Sequence, residues 1–100
     1  MAEQAVRWSA RAENEYLKTL EFYQDRNKSI SYSREITKWV NSAIQQIARF
    51  PYIGRLSDDN KRRVLVVRQF LLFYEVRNEV IYIVSFWDNR RDPSQRVDQK

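Results

Sequence analysis

One hundred residues, 43% hydrophobic and 14% aromatic, make a single modest folded domain: too apolar for a disordered chain, too short for two cores. Eighteen lysines and arginines against 13 aspartates and glutamates leave a net charge of +5, which favours an anionic partner, either nucleic acid or an acidic protein segment. With no Cys and no His, the chain has no disulfide framework, no thiolate chemistry and almost no ligands for zinc, so neither metal nor cofactor is expected.

No apolar run reaches the eighteen or so residues of a membrane span. Met1 to Ala12 carries charges throughout and lacks the apolar centre of a secretory signal, so a cytoplasmic location without a membrane partner is expected. The first segment, "QAVRWS", reads as a strand through Ala5, Val6 and Trp8. Ser9 then fits a helix N-cap, with Glu13 in the first turn where the helix dipole favours an acid. Ala12, Tyr16, Leu20 and Tyr23 form one apolar helical face, and Leu17 widens it. "QDRNKS" interrupts that pattern.

A second helix is expected from Ser29 or Ser31 to Phe50, with a stripe of Tyr32, Ile36, Val40, Ala43, Ile44 and Ile47. Pro51 stops it, because the residue before a proline avoids helical geometry. The second half then supplies Arg63–Val67, Phe70–Val76 and Val80–Trp87, rich in β-branched and aromatic residues at strand length. Arg68-Gln69 and Arg77-Asn78-Glu79 read as tight turns, Asn78 tolerating the positive φ that hairpins need. The order β-α-α-β-β-β predicts an α+β fold, a helical hairpin on one face of a small, mainly antiparallel curved sheet. Residues 1–100 form one domain in this reading, and 88–100 a polar basic tail that adds little core. The other sheet face is open to being aromatic and basic, with Tyr74 and Tyr82 within strands.

Chemistry is sparse. In "FPYIGR", Pro51 and Gly54 turn the chain, and Arg55 is either solvated or held rigidly beside the sheet. Lys61-Arg62-Arg63 and Arg68, with Arg90, Arg91 and Arg96, are able to form one positive surface. A carboxylate pair among Glu75, Glu79 and Asp88 has nothing to fix its separation. Ribonuclease chemistry without His would need cations to stabilise a phosphorane and a tyrosine for proton transfer, with Tyr74 and Tyr82 as candidates. Both tyrosines equally suit cross-strand packing.

Taken together, "RWSARAENEYL", "IARFPYIGR" and "VRQFLLFYEVRNEVIYIVSFWDNRRDP" resemble the RelE/ParE superfamily of bacterial toxins over nearly the whole chain. The resemblance implies the toxin half of a type II toxin–antitoxin pair, bound in a hetero-oligomer by a cognate antitoxin with an extended acidic and apolar segment. Its ribonuclease branch, RelE-like, cleaves mRNA on the ribosome; the ParE-like branch inhibits DNA gyrase and is not a nuclease. Leu71 and Leu72 stand where the ribonuclease branch carries an arginine, and no His or Tyr follows Trp87. The "RRDP" ending is similar to the ParE-like branch, which is the favoured reading. The alternatives are a RelE-like endoribonuclease using Arg55, Arg63, Arg68, Tyr74 and Arg90, and a non-toxic basic interaction module on the same fold. Arg68, Trp87, Arg90, Arg91 and Arg96 are the expected target- or antitoxin-binding residues.

Overall fold

A short strand, a helical hairpin and a meander follow one another in the computed structural model, which describes residues 3–27 and 30–98. Strand β1 (Ala5–Trp8) leads into α1 (Ala10–Asn27) and α2 (Ser31–Arg49). Strands β2 (Arg55–Leu56), β3 (Arg63–Val67), β4 (Phe70–Arg77) and β5 (Val80–Asp88) follow, then a 3-10 turn at Pro93–Gln95. Ser9 caps α1: its Oγ accepts the Ala12 N–H at 3.0 Å and donates to the Val84 carbonyl, joining the helix start to β5. The second helix ends at Arg49, one residue earlier than the sequence suggests, with the Phe50 N–H bonded to the Gln46 carbonyl. Ser31 opens it; Ser29, the other expected start, lies outside the described residues.

The five strands run β1-β5-β4-β3-β2, with β1 parallel to β5 and the other pairs antiparallel. The sheet is open, and the expected α+β order holds with β2 as an added edge strand. Both helices cover one face. Ala12 and Tyr23 of α1, with Ile36, Val40 and Ile47 of α2, pack on Phe70, Leu72, Ile81, Ile83 and Phe86. At about 25 cal/mol per Å² of apolar area removed from water, this burial is the main term holding helices to sheet. Leu17, expected on that stripe, is 54% exposed: it stands one position beyond Tyr16, and the helical rotation carries it off the packed face. No helix among the described residues is long and apolar enough to cross a membrane.

A β-bulge decides which residues reach the opposite face. Phe73 pairs with Ser85 but Tyr74 with Ile83, so Val84 is the extra residue. Past it the alternation flips: Phe86 joins Ile81 and Ile83 under the helices, while Trp87 turns away. Trp87 therefore joins Val64, Leu71 and Phe73 in a second buried cluster, covered by Val84 and Val97. The tail is thus part of the core, which corrects the expectation that it adds little. Val97 packs on that cluster, Asp88 and Asp98 are buried, and Arg96 holds Asp98 through two hydrogen bonds of 2.9 and 2.7 Å.

Candidate functional site

Strand β5 ends in a carboxylate that organises everything after it. Asp88 accepts the Tyr23 hydroxyl of α1 at 2.5 Å, the Arg90 N–H at 3.0 Å, and the Arg90 Nε and Nη2 at 3.2 and 3.1 Å. The backbone contact makes an Asx turn, the local geometry that aspartate favours where a strand must bend. Arg90 is fixed with its guanidinium 5.1 Å above the Tyr23 ring, while 60% of its side chain stays exposed. Arg91 goes the other way and stacks 4.4 Å over Trp87. Two successive arginines thus straddle the sheet end, one beside the helices and one on the opposite face. The rest of "RRDP" is a stop signal: the Asp92 carboxylate accepts the Ser94 N–H at 3.0 Å, and Pro93 begins the 3-10 turn. Hydrogen bonding to Ser94, from its backbone first and then its side chain, holds the Asp92 carboxyl below its ordinary pKa.

Arg68 lies at the same end. It occupies the β3–β4 turn with φ 59° and sets its guanidinium 4.8 Å over Trp39 of α2. The Asn89 N–H donates to the Gln69 carbonyl at 2.8 Å, so this turn and the Asp88–Arg91 turn are held together. Arg96 is on the opposite face, 5.7 Å over Phe73, where it also reaches Asp58 at 3.3 Å. Its hydrogen bonds to Asp98 raise its pKa further. Of the five residues expected to bind a target or antitoxin, Arg68 and Arg90 therefore share the helix side of one sheet end. Arg91 and Arg96 occupy the reverse side, and Trp87 is buried beneath Arg91, only 2% exposed.

The five residues a nuclease would use divide between two places. Tyr74 pairs with Arg63 in the β-ladder, and its Oη accepts the Gly54 N–H at 2.9 Å. Tyr74 is fully buried, and burial raises its phenol pKa above 10.0 against the smaller opposing effects of Gly54 and Arg63. Arg63 donates to the Gly54 carbonyl at 2.8 Å and lies 5.0 Å over Tyr52. Exposed Arg55 bonds the Leu56 carbonyl next to it. Arg68 and Arg90 sit at the far end of the same strands, about five residues or roughly 16 Å along β3 from Arg63. Tyr82 is half-buried beneath Arg77, 4.3 Å away. Of the three acids expected as a possible pair, Glu75 binds Arg62 and Arg77 while Asp88 is taken up by Arg90 and Tyr23. Glu79 sits in the β4–β5 turn. Among the described residues no three His, Cys, Asp or Glu side chains converge as metal ligands.

Sequence reasoning missed Lys18, Phe22 and Arg26. They follow one another at four-residue intervals on α1, outside the apolar stripe, and face Arg90 across a groove of about 690 Å³. That spacing was legible. The other wall was not, because it depends on how Asp88 bends the chain.

Two helices on one face of a five-stranded sheet, with arginines fanned over its end, define a small basic α+β toxin fold of the kind the sequence resembles. The family model for the ParE toxin of the type II toxin–antitoxin system parDE matches residues 6–93, and the chain belongs to that family. Among solved structures, one described as the chromosomal ParDE TA system from P. aeruginosa superposes with a TM-score of 0.73. That match covers 86% of this chain and 96% of the other at 12% identity, a likeness of fold. Comparison with curated proteins gave no match.

Proposed function

We propose that this chain arrests bacterial growth by inhibiting DNA gyrase, and that a cognate antitoxin holds it in check within a toxin–antitoxin complex. Membership of the ParE toxin family supports the reading. The observation that carries it against a ribonuclease is the scatter of the would-be catalytic set. Arg63 and Tyr74 stand at one end of the strands, and Arg68 and Arg90 at the other. The one tyrosine among them is buried with its hydroxyl engaged by Gly54. General acid–base work needs a group within hydrogen-bond reach of the proton it moves. Arg90 and Arg91, exposed and fixed in orientation by Asp88 and Trp87, are the residues assigned to target contact.

The purified chain is expected to block supercoiling of relaxed plasmid by gyrase while leaving ribosome-bound mRNA intact. Cleavage of mRNA only with ribosomes present, lost in Arg90→Ala, would instead establish the endoribonuclease. Inactivity in both assays, with growth unaffected by induction, would leave a basic interaction module.

A further inference from the structure

The groove between α1 and the Asp88–Arg91 turn has features that contact with gyrase or an antitoxin does not require. Its α1 wall is the ridge Lys18, Phe22 and Arg26, one helical turn between neighbours. Its other wall carries Arg90; Arg91 also borders the opening, although its guanidinium stacks over Trp87 on the reverse side. Phe22 is 53% exposed and meets the Tyr23 ring edge-on at 5.0 Å. Among the described residues neither Lys18 nor Arg26 forms an ion pair.

Two acids also line the groove, and both are already engaged. Glu15 accepts the Ser85 Oγ–H at 2.7 Å and the Phe86 N–H at 3.2 Å, and meets Arg11 at 3.4 Å. Asp88 is occupied by Arg90 and Tyr23. Three cations, Lys18, Arg26 and Arg90, against two engaged carboxylates leave the opening positive. A flat exposed ring flanked by cations, one turn away on either side, is the arrangement that stacks a base while its phosphates are neutralised. A docking peptide helix would need apolar anchors at several successive turns. Among the described residues, Phe22 is the only exposed large hydrophobic one that lines this groove.

We infer that the groove is a nucleotide site, taking phosphate among Lys18, Arg26 and Arg90 and laying the base on Phe22. The ligand is a free nucleotide or one unit of a single strand. Its occupancy does not depend on which cellular target the toxin has.

The test is fluorescence anisotropy of the full-length protein with a dye-labelled oligothymidylate of five nucleotides. AMP, adenosine, inorganic phosphate and polyglutamate serve as competitors. Binding of the oligomer is expected to weaken about tenfold or more in Phe22→Ala, the scale of one lost base-stacking contact. Lys18→Gln with Arg26→Gln should lower the slope of log K against log salt by about 1.4, two phosphate contacts on a single strand. Lys38→Gln, an exposed cation elsewhere, should change neither. Competition by AMP comparable to the oligomer's would identify a free nucleotide as the ligand; competition by the oligomer alone would identify a strand. Absence of binding would overturn the proposal. So would competition by phosphate or polyglutamate as strong as that of the unlabelled oligomer, or full binding in Phe22→Ala, since each describes a bare charged patch. All three substituted groove positions are on the exposed side of α1, and circular dichroism of the variants checks that the fold is kept.

Discussion

Tyr23 of α1 donates its hydroxyl to the Asp88 carboxylate at the end of β5, joining residues 65 positions apart in the buried layer between helix and sheet. The contact orients Asp88, and Asp88 in turn orients Arg90. Tyr23→Phe removes a hydrogen bond to a charged acceptor and should cost about 1.5–3 kcal/mol of stability. For a domain of this size that is a fall in Tm of roughly 4–8 °C per kcal/mol, read by thermal denaturation. An unchanged Tm would show that the three Arg90 contacts alone suffice for Asp88.

Arg90 and Arg91 should differ in how far they matter to stability. Arg91 forms no ion pair among the described residues, whereas Arg90 pairs with the buried carboxylate of Asp88. Reversing both to Glu should therefore cost about 1–3 kcal/mol, read as a lowered urea midpoint and carried almost wholly by Arg90. Growth arrest on induction should be lost, and antitoxin binding weakened. A double variant that folds and still arrests growth would move the target surface elsewhere.

Gly54 is the position where the turn after α2 meets the sheet. A Cβ there would lie 2.8 Å from both the Tyr74 Oη and the Val64 carbonyl. Gly54→Ala must displace the turn or break the Gly54–Tyr74 hydrogen bond, and should destabilise by about 2 kcal/mol. Tyr74→Phe alone strands the buried Gly54 N–H at a similar cost, about 1–3 kcal/mol. Because the two residues touch, the double variant should cost less than the sum. Additive losses in denaturant titrations would show that the contact is not shared.

The tail clasp sets an acid limit. Burial acts to raise the Asp98 carboxyl, but the Arg96 side chain, the Asp58 N–H and the Arg96 charge together outweigh it, so its pKa lies below 3.8. Asp59 shifts the same way, through the Ser57 hydroxyl first and the Lys61 N–H next. A depressed folded pKa adds stability that is fully present above the unfolded value of about 3.9 and is lost as pH falls through the folded one. Stability should therefore hold from neutrality to about pH 5 and fall below about pH 4. The gap between the native chain and Asp98→Asn should close over the same interval in urea titrations. A constant gap would mean that Arg96 does not depend on the charge of Asp98. Truncation after Trp87, which also removes Val97 from the second cluster, should destabilise the fold rather than leave it intact.

Much of the fold is legible because its signals are local. Ser9 before an apolar period, Pro51 after one, and Asn78 between two apolar runs each specify an element boundary without reference to distant residues. Asn78 and Glu79 both take positive φ, 50° and 64°, as a two-residue hairpin turn requires. Glu79→Gly should accordingly stabilise by about 1 kcal/mol, since an L side chain is disfavoured there. What is not legible rests on distant partners. Strand β2 is two residues held by pairing with β3, and no propensity marks it. The bulge at Val84 changes which face Trp87 occupies, so an alternation count leads to the wrong side. The arginines of the tail were identifiable as basic, yet their division between faces follows from the turn at Asp88 and the rings of Tyr23 and Trp87.

The central claim is that the chain acts on DNA topology and not on messenger RNA. The most direct measurement is tightly controlled induction in bacteria, with labelled thymidine and labelled amino acids followed over the first minutes. The account predicts that thymidine incorporation falls first and that Arg90→Glu with Arg91→Glu abolishes the fall. If amino-acid incorporation falls first, the chain is a ribosome-directed nuclease, and the gyrase reading is wrong.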